Sequence, residues 1–143
     1  GGYDSLESLA LLDGIVDIYM PDMKYAVPKT GRRLSKVSDY PEANRASVRE
    51  MWRQVGDLVI GADGLARRGL LVRHLVLPGS GNETRQILEF LAREISPGTA
   101  VNIMDQYHPC YRADEYPPLD RTLSTREYRQ ALDIATREGL RVL

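Results

Sequence analysis

The chain contains one cysteine, Cys110, among its 143 residues. That excludes an internal disulfide. It also excludes an iron–sulfur cluster or a structural zinc held by cysteines of this chain alone. Charge of neither sign dominates: 19 Lys and Arg stand against 20 Asp and Glu, for a formal net charge of −1. With no basic run, a nucleic-acid partner is not implied. Long apolar runs are absent too. The stretch "GLLVRHLVLPG" is far too short to cross a bilayer, and Arg73 and His74 interrupt it. No signal-peptide pattern opens the chain, and no dinucleotide-binding glycine fingerprint occurs. What is present is an ordinary globular composition, 43% hydrophobic and 27% charged. It suits a single domain over 1–143, with a cytoplasmic location as the default expectation. Gly1 is not an initiator methionine, and a helix begins almost at once with nothing before it to pack against. The expectation is a piece of a longer protein.

Helix and strand signals alternate. A helix is expected over 4–12, with Asp4 or Ser5 as N-cap and Gly14 as the stop. A first strand follows over 15–22, and only a weak helical turn is expected after Pro28. "SDYPEANRASVREMWRQVG" is a clear helix: Val48, Met51, Trp52 and Val55 recur at i, i+3, i+4 and i+7, and Gly56 ends it. A small hairpin is expected around Asp63-Gly64. "LLVRHLVLPG" reads as a second strand of the main sheet. The next helix carries Ser80 and Glu83 at capping-box spacing. "AVNIMDQY" is a third strand, 109–123 an irregular Pro-rich loop, and the last helix opens on a second capping box, Ser124 and Glu127. Strands separated by helices run parallel through right-handed crossovers. The fold class is therefore α/β, with three parallel strands and alternating helices. "LPGSGN" reads first as a turn, and second as a phosphate site at a helix start.

"DIYMPDMKY" poses the functional question. Side chains alternate across a strand, so Ile18, Met20, Asp22 and Lys24 share a face that begins apolar and ends charged. Arg73 shares a face with Leu71, Leu75 and Leu77. Asn102, Met104 and Gln106 share another with Ala100, and His108 continues that parity into the loop. Sites in parallel α/β folds form at the carboxyl ends of strands. Asp22, Lys24, Gln106 and His108 lie at such ends. Arg73 lies deeper, and a buried guanidinium demands an anionic partner: Asp17, Asp105 or a ligand carboxylate. The plainer alternative for Asp22 and Lys24 is a structural ion pair or a solvated loop. His74 reads as a satisfied histidine under the helices, Asp105 and Tyr107 as structural, and Cys110 as a bystander.

"DGIVDIYMPDMKY", "GLLVRHLVLPG" and "VNIMDQYHPCY", in this order and spacing, resemble the C-terminal half of radical S-adenosylmethionine proteins of the pyruvate formate-lyase activating enzyme-related branch. The resemblance implies the last three strands of a partial (β/α)6 TIM-like barrel. In that family a three-cysteine loop, absent from this chain, holds a 4Fe–4S cluster. The cluster binds S-adenosylmethionine and cleaves it reductively to a 5′-deoxyadenosyl radical. The implied partners are a reduced flavodoxin- or ferredoxin-type electron donor and a glycyl radical enzyme. Asp22 and Lys24 match the family's Asp-x-Lys, which contacts S-adenosylmethionine, and Arg73 matches the arginine before Val-x-Pro-Gly. "QYH" resembles the family's "PYH", whose histidine contacts the cofactor; Gln106 is the departure. The candidate cofactor-binding set is thus Asp22, Lys24, Arg73, Asn102, Gln106 and His108, with no catalytic residue or metal ligand in this chain and no activity expected of it alone.

Two other classes compete. A lysine beside a carboxylate at a strand end suits a Schiff-base lyase of the aldolase kind, with Lys24 as nucleophile. A non-catalytic domain whose charges satisfy one another is the third reading. A Cys-x3-Cys-x2-Cys loop upstream of Gly1 discriminates the first from the others. In an isolated half barrel the first strand has an unpaired edge, so the piece is expected to self-associate through it or to cover it with its own loops.

Overall fold

The structure, a computed structural model, describes residues 1–143. Its first helix, α1 (Leu6–Ala10), starts at Ser5, whose hydroxyl accepts the Ser8 N–H. It is shorter than expected because the following residues close as turns, the N–H groups of Ile15 and Val16 both bonding Leu12 O. Those two residues leave the first strand, and β1 spans only Ile18–Tyr19. It pairs in parallel with Gly69 and Leu70 of β3 (Ala66–Leu75). Pro21 has no N–H and so interrupts the ladder, which resumes in the same register at an Asp22–Arg73 bridge.

The expected weak turn after Pro28 is a full helix, α2 (Pro28–Ser35). Its missing start signal comes from a distant residue. Glu83 accepts hydrogen bonds from the Ala26 and Val27 N–H groups (2.7 and 3.2 Å) and from the Thr30 hydroxyl. The Ser80–Glu83 capping box therefore does not form. Ser80 instead closes the turn before its helix, its Oγ donating to Leu77 O at 2.7 Å. The helix α3 (Tyr40–Val55) ends at Gly56, whose φ of 71° suits glycine. β2 (Val59–Ile60) makes the expected hairpin with β3. After β3 come α4 (Gly81–Phe90), one π-helical turn over Leu91–Ile95, β4 (Ala100–Met104) and α5 (Thr125–Arg137). The Ser124–Glu127 box forms as expected. A short β5 (Arg141–Val142), not foreseen, pairs in parallel with β4.

The sheet order is β1-β3-β4-β5, with β2 antiparallel on β3. The parallel strands follow chain order without reversal, and β1 and β5 are the edges. One face is packed: Leu70, Val72, Val76, Val101 and Ile103 join Val48, Met51, Ile87, Leu88, Leu91, Ile134 and Ala135 in a single core. On the other face Ile18, Leu71, Arg73, Leu75, Asn102 and Met104 are only half-buried, and Met20 is exposed. No helix is long and apolar enough to cross a membrane.

Candidate functional site

Sheet register lines up three polar side chains. Asp22 bridges Arg73, and Arg73 pairs with Asn102. On successive strands at one level, all three share the half-buried face. Lys24 follows two residues after Asp22, toward the strand ends, and its Nζ lies beside the Asp22 carboxylate.

The geometry is held from behind. Asp22 O accepts from Asn44 Nδ2 at 2.9 Å and from the Tyr40 hydroxyl at 3.3 Å, and the Lys24 N–H donates to that same hydroxyl at 3.1 Å. Burial pushes the Tyr40 hydroxyl up to about 12, so it stays protonated and donating near neutral pH. The Met23 N–H donates to Arg73 O at 2.9 Å. The packed face thus fixes the backbone of 22–24 while the Asp22 and Lys24 side chains face the other way.

Asp22 is the anionic partner that Arg73 requires; neither Asp17 nor Asp105 fills that place. Arg73 Nε and Nη2 each lie 2.8 Å from Asp22 Oδ1, and Lys24 Nζ lies 3.9 Å from Oδ2. Arg73 is not deeply buried either: its side chain is 40% exposed, Lys24's 45% and Asp22's 18%. Two cations share one carboxylate, so the cluster carries net charge +1. It offers a positive site for a ligand carboxylate, while Asp22 Oδ2 can accept from a hydroxyl or ammonium group.

Gln106 and His108 do not join this row. Both lie beyond the end of β4 in the loop, exposed to solvent, and Gln106 reaches only Met104 Sδ, at 3.8 Å. The short strand explains this: parity cannot be carried past Met104 once the chain leaves the sheet.

His74 is the satisfied core histidine expected. It is 1% exposed, with Nδ1 2.8 Å from Met23 O and Nε2 3.0 Å from Thr84 Oγ1. A carbonyl can only accept, so Nδ1 carries the proton and Nε2 accepts from Thr84. Burial lowers its pKa and keeps it neutral. In "LPGSGN" the Leu77 and Ser80 N–H groups are bonded within the turn, to Ser80 Oγ and Leu77 O. Gly79 N–H binds Glu127 Oε1 at 2.8 Å, and that carboxylate would repel an anion. No group of three or more His, Cys, Asp or Glu side chains is placed to hold a metal ion.

Residues that sequence reasoning missed support the site from behind. Tyr40 and Asn44 are polar positions in an amphipathic helix, and Glu83 looked like a local cap. The one available signal was Asn44 and Ser47 falling on the apolar stripe of α3, where unpaired polar groups are costly.

No family model matches the chain, and no solved structure matches it. The chain is similar to an uncharacterised protein of Methanocaldococcus jannaschii, 32% identical over 139 residues, covering 96% of this chain and 37% of the relative. The chain therefore spans little more than a third of that relative's length.

Proposed function

We propose that this chain is the S-adenosylmethionine-binding C-terminal part of a radical enzyme resembling pyruvate formate-lyase activating enzyme. The observation that carries the reading is the row Asp22–Arg73–Asn102 on the face the helices leave open, with Lys24 at its strand-end side. Three sequence motifs from three separate strands supply those residues. Parallel strands in unreversed chain order, packed by helices on one face, are what a segment of a (β/α) barrel requires. In this reading the open face is barrel interior, and the free edge of β1 is where the remaining strands pair. In the isolated piece the same edge recruits a second copy.

The donor set fits S-adenosylmethionine, which carries an ammonium, a carboxylate and a ribose diol. Lys24 and Arg73 would hold its carboxylate or ribose oxygens, Asp22 its ammonium or hydroxyl groups, and Asn102 would donate and accept beside them. When bound, the cofactor together with a 4Fe–4S cluster held outside this chain would supply a carbon radical for hydrogen abstraction. This chain's residues bind and orient it. A Schiff-base role for Lys24 fits less well, because no apolar pocket desolvates its ammonium and a carboxylate lies 3.9 Å away.

The test uses the full-length protein. Lys24→Ala removes a charge-assisted hydrogen bond worth roughly 1.5–3 kcal/mol, so S-adenosylmethionine affinity should fall about one to two orders of magnitude. Asp22→Asn should do less, since the amide still accepts a bond. Unchanged affinity in both variants removes the assignment. A borohydride-trapped substrate adduct at Lys24, seen by mass spectrometry, would transfer the chain to the lyase class.

A further inference from the structure

A second site lies beyond the strand ends. The loop after β4 folds back over α2 and borders an open-sided cavity of about 430 Å³, lined chiefly by Tyr25, Leu34, Leu77, Tyr107, Tyr116 and Leu119. Its volume lies within the range of small-molecule pockets, roughly 300–1,000 Å³, and its walls have the usual apolar and aromatic character. Two of the lining tyrosines have their hydroxyls anchored. Tyr107 donates to Leu119 O at 2.8 Å, and Tyr25 pairs with Ser35 Oγ at 2.9 Å. Those rings are fixed walls.

A second observation is independent of shape. Two non-glycine residues in the chain adopt left-handed backbone conformations, Lys36 (φ 61°) and Tyr111 (φ 53°), and both line this cavity. Such conformations are costly for side-chain-bearing residues and concentrate where a side chain must be presented to a ligand. Lys36 occupies the C-cap of α2, a position glycine fills without strain. A lysine there brings an ammonium to the rim. It makes no ion pair: Nζ donates to Arg33 O at 3.3 Å and lies 6.0 Å from the Tyr116 ring centroid. Arg33 lies over the same ring at 5.4 Å. Arg112 is neutralised by Glu115. Tyr111, 94% exposed, stands at the mouth with its ring uncovered.

We infer that this cavity binds a small organic anion: a ring-sized apolar body between Tyr107 and Tyr116, with its carboxylate or equivalent charge on Lys36. The inference rests on this cavity alone and does not depend on the cofactor reading.

The test is equilibrium binding to the full-length protein of 4-hydroxyphenylacetate and its uncharged amide, followed by saturation-transfer NMR. The acid should bind saturably and at least fivefold more tightly than the amide. Lys36→Gly should remove that preference while leaving the thermal midpoint unchanged or higher, because glycine relieves the left-handed strain. Leu34→Trp, which fills the cavity, should abolish binding of both probes. An acid preference that survives Lys36→Gly overturns the inference. So does binding unaffected by Leu34→Trp in a folded protein, or the absence of saturable binding by either probe.

Discussion

Arg73 and His74 are consecutive residues of one strand with opposite fates. His74 points into the helix-packed face, is 1% exposed, and has both ring nitrogens engaged. Arg73 points to the open face, 40% exposed, and shares one carboxylate with Lys24. On the packed face every His74 polar atom is consumed in tying the segment after β1 and α4 to β3, so nothing remains for a ligand. On the open face the charges are incompletely matched and reachable. Polar side chains on one strand therefore divide into internally satisfied and solvent-reachable groups by which face they take, and residue type alone does not separate them.

The largest test of that division is stability. His74→Leu leaves Met23 O and Thr84 Oγ1 without their buried partner, and should cost about 2–4 kcal/mol in denaturant unfolding. Arg73→Leu should cost less than about 1 kcal/mol, since a half-exposed ion pair contributes little. Equal losses would erase the distinction between the faces.

The pH dependence sharpens it. His74 has a lowered pKa in the folded protein because burial disfavours its charge. Below about 6.5 the unfolded chain binds a proton that the native state refuses. Stability should thus be fully present above that pH and decline as pH falls below it, by at most about 1.4 kcal/mol per pH unit. His74→Gln should flatten this limb in unfolding curves between pH 7 and 5. Glu127, held well below the usual carboxylate range by Arg121, acts lower: its contribution is present above about pH 4.3 and lost beneath it. A limb near pH 6 that persists in His74→Gln would show that another group carries it.

A smaller effect is expected at Glu83. Glu83→Ala removes the acceptor for Ala26, Val27 and Thr30 and should cost roughly 1–2 kcal/mol, as losing a helix cap does. Amide exchange should rise at 26–31 while α4 keeps its protection. Loosening of α4 instead would restore Glu83 to the local cap that its spacing suggested.

The alternation of strands and helices, the hairpin at Asp63-Gly64, the Ser124–Glu127 box and the core role of His74 were legible because each follows from local period or turn chemistry. What was not legible depends on distant partners. Glu83 sits three residues after Ser80, yet it caps a helix more than fifty residues earlier, and spacing cannot reveal that choice. β5 is two residues long and exists only because β4 presents a free edge. The shared face of Asp22 and Lys24 was readable from alternation, and so was that of Arg73. Their meeting through the β1–β3 register was not, and for that reason Asp17 and Asp105 looked equally eligible as partners. Gln106 and His108 show where parity fails: beyond the last ladder bond it carries no direction.

The central claim is that the Asp22–Arg73–Asn102 row binds a ligand and does not merely hold the sheet. The most direct measurement is S-adenosylmethionine binding and denaturant unfolding of Arg73→Leu, side by side in the full-length protein. The account predicts at least a tenfold loss of affinity with an unfolding free energy within about 1 kcal/mol of the parent. Unchanged affinity with a loss of several kcal/mol in stability would contradict it and make the row a structural ion pair.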